Sequence, residues 1–115
     1  MMKRLSKKAK KPVQDNYNGI PIADLWDMDM TLTRLIANHL HAFLKAQKSD
    51  MVGIPGIIVD KVGEEKARAA WLNIIRKMIY AFDMYQRPLH QDEETKSRIR
   101  EGMQLFVDYF MYLWI

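Results

Sequence analysis

The chain has 115 residues, no cysteine and a formal charge of +4; a folded monomer of that mass exposes about 6,600 Å² against roughly 19,700 Å² for the open chain, enough for one core and too little for two. An apolar content of 49% excludes a wholly disordered chain, and the lack of cysteine excludes disulfide staples, thiolate zinc sites and cysteine nucleophiles. The longest uncharged apolar run, 109–115, has seven residues, far short of the roughly 20 that cross a bilayer.

Residues 1–12 carry Lys3, Arg4, Lys7, Lys8, Lys10 and Lys11 and no acid. Twelve bases then face fourteen acids, so residues 13–115 sum to −2 and the high isoelectric point belongs to this opening segment. With one leucine and no aromatic, it buries too little surface to offset its ordering entropy and reads, over 1–19, as a basic flexible tail and turn. No apolar stretch follows Lys3-Arg4, so it does not read as a signal peptide. Four roles stay open: a solubilising arm, an arm on nucleic acid or a ribonucleoprotein surface, a lure for an anionic membrane surface, and a contact for an acidic protein partner. Without interleaved aromatics, any nucleic-acid contact is to phosphate and carries no sequence information. Lys3, Arg4, Lys7, Lys8, Lys10 and Lys11 are therefore the candidate nucleic-acid-binding residues.

Residues 20–115 read as a single helical domain. Asn16 to Pro21 is turn chemistry, with Asn18-Gly19 suited to positive φ, and a separate short helical turn fits Ile22–Trp26. From about Asp27 to Gln47, Leu25, Met28, Leu32, Leu35, Ile36, His39, Leu40, Phe43 and Leu44 recur at steps of three and four, a stripe at the helical period. Asp24, Asp27 and Asp29 suit its opening turns and Lys45 and Lys48 its end.

Gly53, Pro55, Gly56 and Gly63 break the pattern over 49–63. The β-branched centre Ile57-Ile58-Val59 reads as a short extended piece inside a crossover loop. A second long helix is predicted from about Glu64 to Tyr85, with a core face of Ala67, Trp71, Ile74, Met78, Ala81, Phe82 and Tyr85, ended by Arg87-Pro88. A third starts near Asp92, with a stripe of Ile99, Met103, Phe106, Phe110 and Leu113. Gly102 inside it costs about 1 kcal/mol against alanine unless a neighbouring backbone needs the space, which marks a close approach between helices. The terminal Tyr-Phe-Met-Tyr-Leu-Trp-Ile must dock on the bundle or on a second copy, since so much exposed apolar surface favours association. The fold expected is all-α: a small bundle of three long helices, a Gly/Pro-containing crossover loop and a short fourth helix near residue 22.

Signals for chemistry are sparse. His39 and His41 lie about 200° apart around a helix and cannot share a metal. His39, on the apolar stripe, reads as a satisfied core histidine, His41 as outward-facing, and His90 as a loop residue. No metal-spaced histidine pair and no glycine-rich phosphate cradle occurs, and Gly53 to Gly56 reads as a plain loop. Inward carboxylates in helical bundles can hold divalent metals; the candidates are Asp29, Asp83, Glu101 and Asp108. An antiparallel hairpin turning near Leu89 sets Lys77 opposite Glu101, an ordinary ion pair that argues against an acid cluster there. No cofactor is expected. Tyr80 and Tyr112 fall off the main stripes and are candidates for an aromatic binding surface. Nine methionines suit adaptable packing.

Trp26-Asp27-Met28-Asp29-Met30-Thr31, then Trp71 leading into Lys77 to Asp83, then Glu101-Gly102-Met103-Gln104-Leu105-Phe106 running to Tyr109-Phe110 and Leu113-Trp114, resemble a group of small hypothetical proteins of tailed bacteriophages over roughly 24–115. The resemblance implies a viral or prophage origin and expression in the bacterial cytoplasm. It carries no activity and no site residues. Three functions follow as expectations. The leading one is a non-enzymatic accessory protein, a helical adaptor for a host or phage protein whose tail attracts nucleic acid non-specifically. The others are a minor virion or assembly component meeting packaged DNA, and a small metal-dependent enzyme using the four carboxylates. No membrane partner is expected, and a homo-oligomer through the apolar C-terminus is a further option.

Overall fold

The computed structural model describes residues 15–49, 53–87, 89 and 91–115. The basic residues Lys3, Arg4, Lys7, Lys8, Lys10 and Lys11, and His90, lie outside them. Helix accounts for 76% of the described residues and strand for 4%, which makes the chain all-α. The described residues fall into two compact units, divided between Leu32 and Thr33.

In the first unit, β1 (Asn16–Tyr17) pairs antiparallel with β2 (Ile20–Pro21). Asn18 and Gly19 between them both take positive φ, 53° and 78°, the backbone a two-residue hairpin turn requires. The short helix α1 (Ile22–Trp26) follows, as its sequence leads one to expect. Asp27 ends it, and the Asp27 carbonyl accepts from the Thr31 N–H to open α2 (Met28–Gln47).

The second unit holds most of α2, then α3 (Gly56–Val62), α4 (Glu64–Tyr85) and α5 (Glu93–Asp108). Its core is Ala37 and Leu40 from α2, Ile58 from α3, Ala67, Trp71, Ile75, Met78, Ile79, Ala81 and Phe82 from α4, with Ile99 and Tyr109. The α4–α5 pair is an antiparallel hairpin: Lys77 Nζ meets Glu101 Oε2 at 3.2 Å, and the Arg98 guanidinium stacks 4.1 Å from the centre of the Tyr80 ring. The expected register is the observed one. Gly102 fixes how closely the helices approach, because a Cβ there would overlap the Lys77 carbonyl oxygen and the Ala81 side chain.

Helix ends follow local chemistry. The Thr95 N–H donates to Asp92 Oδ1 at 2.7 Å, capping α5. That backbone bond, with a second from the Thr95 hydroxyl, holds the Asp92 carboxyl below its ordinary value. Glycine at position 63 separates α3 from α4 at φ 84°, a conformation that side chains disfavour.

Two expectations are corrected. Ile57-Ile58-Val59 is not extended but lies within α3. Pro55 enters at φ −53°, fixed for a helix start, and its carbonyl accepts from the Ile58 and Val59 N–H groups, while Ile58 is buried. One turn of burial outweighs a weak β preference. The third helix also stops early. Tyr109 leaves helical geometry at φ −111° and ψ 15°, and a 3-10 turn, Phe110–Tyr112, follows. This places the Tyr109 ring 5.8 Å from Trp71 and leaves Phe110 outside the core.

Trp71→Ala is expected to lower unfolding free energy by about 3–5 kcal/mol, the cost of a large cavity amid the core; an unmoved urea midpoint would contradict its central place. Gly102→Ala, although it improves helix propensity, should destabilise by about 1–3 kcal/mol through overpacking of the hairpin. The same urea titration reads this sign directly.

Candidate functional site

The sequence spreads apolar residues around roughly half the circumference of α2, wider than the stripe of about 100° that one core face uses. The excess forms a surface. Leu35, Ile36, His39, Leu40 and Phe43 of α2 line an apolar groove of about 300 Å³, closed on its other side by Phe106 of α5 and Leu113. Its continuation is aromatic: Phe106 packs edge-on against Phe82 at 5.0 Å and against Phe110 at 5.5 Å. Val107, Phe110, Met111, Trp114 and Ile115 are each between 61% and 78% exposed. Trp114 and Ile115, with Tyr112, also wall a hollow of about 470 Å³ against Gly53 to Gly56. Gly53 to Gly56, read from sequence as a plain loop, thus forms one wall of that hollow.

His39 is corrected from core residue to exposed groove residue. Its Nδ1 lies 2.8 Å from the Leu35 carbonyl one turn back, a local bond in which the ring nitrogen donates. His41 faces outward as expected, and its Nε2 meets Asp83 Oδ2 at 2.9 Å. The aromatic surface is also relocated. Tyr80 lies half-buried beneath Arg98, and Tyr112 packs 6.2 Å from Tyr109. The exposed aromatics are instead Phe110 and Trp114, which the helical stripe drawn through 99–113 assigned to the core or its flank.

The four candidate metal carboxylates have separate neighbourhoods. Asp83 engages His41, Glu101 engages Lys77, and Asp108 accepts from Gln104 Nε2 at 2.8 Å. Asp29 sits in the first turn of α2, within the other unit. Among the described residues no three metal-capable side chains converge. An ion pair of the Lys77–Glu101 type, about half exposed on both sides, is worth about 0–1 kcal/mol and orders little. Among the described residues no helix is long and apolar enough to cross a membrane. No protein family, curated protein or solved structure matches the chain.

Millimolar Mg²⁺ or Mn²⁺ is expected to leave the melting temperature of the protein unchanged. A site filled at a hundred times its dissociation constant would add about 2.7 kcal/mol, a shift that a thermal melt resolves easily.

Proposed function

We propose that the chain is a non-enzymatic accessory protein of a tailed bacteriophage, made in the bacterial cytoplasm, whose α2, α4 and α5 act as a small three-helix bundle that docks another protein. The observation that supports this reading is the open apolar groove between α2 and the Phe106–Leu113 segment. The occupant is an amphipathic helix of a host or phage protein, laying its apolar face into the groove. The uncovered area fits such a partner. Five exposed apolar side chains lie beyond the groove, and the two aromatics among them can bury about 150–250 Å² each. One partner contributes about 800 Å² to a standard interface. The basic residues Lys3, Arg4, Lys7, Lys8, Lys10 and Lys11 add attraction for nucleic acid without sequence preference. The resemblance over 24–115 supports the phage origin.

Photo-activatable residues placed at Leu35 and Phe110 test the groove, with Glu94 in the opening turn of α5 as control. The expected result is one and the same polypeptide captured in host cells from 35 and 110 and not from 94. Leu35→Glu should then weaken its binding in purified form at least tenfold while the melting temperature holds. Equal capture at position 94, or none at 35 and 110, overturns the reading. Adducts of twice the chain mass from the purified protein alone would instead make a second copy the occupant.

A further inference from the structure

The other side of α2 has an opposite chemistry. At 100° per residue, Lys48, His41, Arg34, Lys45 and Asn38 fall within an arc of about 80°, centred roughly 140° around the helix from His39. All five side chains are exposed, and the stretch from Met30 to Ser49 contains no acid. Lys45, Lys48 and His41 also frame a shallow hollow of about 430 Å³ with Ala42 and Leu44. No described carboxylate pairs with Arg34, Lys45 or Lys48. One acid meets the ridge from α4: Asp83, held by His41 Nε2 at 2.9 Å. The positive charge is therefore concentrated at Arg34 on one side of that pair and at Lys45 with Lys48 on the other.

We infer that this ridge is a binding face for the phosphate backbone of duplex nucleic acid, carried by the folded body and independent of the basic opening segment. Charge complementarity selects the ligand. Three cations stand within about 21 Å along α2 and the turn that ends it, at 1.5 Å per residue from 34 to 48, on a body whose residues 13–115 sum to −2. Asn38, between Arg34 and His41, adds a neutral donor of the kind that bonds phosphate oxygens. Between Arg34 and Lys48 the arc holds no large apolar side chain, so the contact it offers is electrostatic. It holds no Phe, Tyr or Trp either, so the large stacking platforms that retain single strands are missing. What remains is attraction to a densely charged double helix, strong at low salt and blind to sequence. The inference deepens the nucleic-acid part of the proposed function by assigning contacts to the body as well.

The test uses the full-length chain and a fluorescent random-sequence 20-base-pair DNA duplex, with anisotropy read from 50 to 200 mM KCl. Replacing three phosphate contacts in Arg34→Gln/Lys45→Gln/Lys48→Gln should flatten the slope of log K against log salt by about 2.7, at roughly 0.9 per contact. Affinity at 50 mM should fall on the order of tenfold or more. Because all three residues are exposed, the melting temperature should stay within about 2 °C, surface changes being small. Asp83→Asn gives the opposite sign: removing the acid at the ridge should tighten binding severalfold, which a loss of folding does not imitate. A comparison variant converts Lys3, Arg4, Lys7, Lys8, Lys10 and Lys11 to glutamine. If that variant alone abolishes binding and the ridge variants match the unmodified chain, the ridge is overturned and the basic-segment reading stands. If the ridge variant loses affinity and the comparison variant keeps it, the ridge holds and that reading falls. No binding by the unmodified chain at 50 mM overturns both.

Discussion

An indole N–H and a carboxamide enter a protein interior only when each finds a partner, because an unpaired polar group in an apolar surrounding costs about 1–3 kcal/mol. Trp71 and Gln47 meet that condition with each other: both are 1% exposed, and Trp71 Nε1 donates to Gln47 Oε1 at 3.2 Å. Arg68, one turn earlier on α4, donates to the Gln47 carbonyl at 2.9 Å and closes the end of α2. The Trp71 ring also receives the edge of Phe43 at 6.4 Å and the tilted ring of Tyr109 at 5.8 Å. One side chain of α4 thereby fixes the last turn of α2 and the point at which α5 ends. Moving Gln47 by one position along α2 would turn its amide away by 100° and orphan both groups.

That constraint explains which parts of the fold were legible in the sequence. The boundaries of α4 and the start of α5 are written locally, in Glu64-Glu65, in Asp92 with Thr95, and in Arg87 beyond Tyr85. The hairpin register follows from helix geometry with a turn near Leu89, and Gly102 marks the close approach, which together set Lys77 against Glu101. The Trp71–Gln47 bond was not legible, since a glutamine near a helix end has no signature before its partner is known. The same holds for α3 and for the end of α5. Residues 57–59 look β-branched and 106–113 look helical until the packing of Ile58, and of Tyr109 on Trp71, is in place.

His39 shows the same limit at the candidate site. Its spacing with Ile36, Leu40 and Phe43 assigns it to the core, and the assignment assumes that a neighbour covers the whole stripe. α5 stops at Asp108 and the chain turns through Phe110–Tyr112, so the flank of α2 at Leu35 and His39 stays open. The surface that supports a docking role was thus present in the sequence as an apolar stripe too wide for one core. Where it would be uncovered depended on a helix end that tertiary contact decides.

The breadth of the stripe also bears on how one helix could carry both proposed contacts. On α2 the buried arc, with Ala37, Leu40 and Gln47, lies between the groove residues and the ridge of Arg34, His41, Lys45 and Lys48. On the exposed side Leu35 of the groove and Asn38 of the ridge lie about 60° apart around the helix. Both flanks belong to an element whose last turn is held by Trp71 and Arg68, and their separation is set by helix geometry, not by a linker. Salt should also act on them differently. The attraction to phosphate proposed for the ridge would weaken as counterions compete, whereas burial of Leu35, Phe106 and Leu113 in the proposed docking would not be screened by salt. An adaptor of the proposed kind would release a polyanion as ionic strength rises while keeping its protein partner.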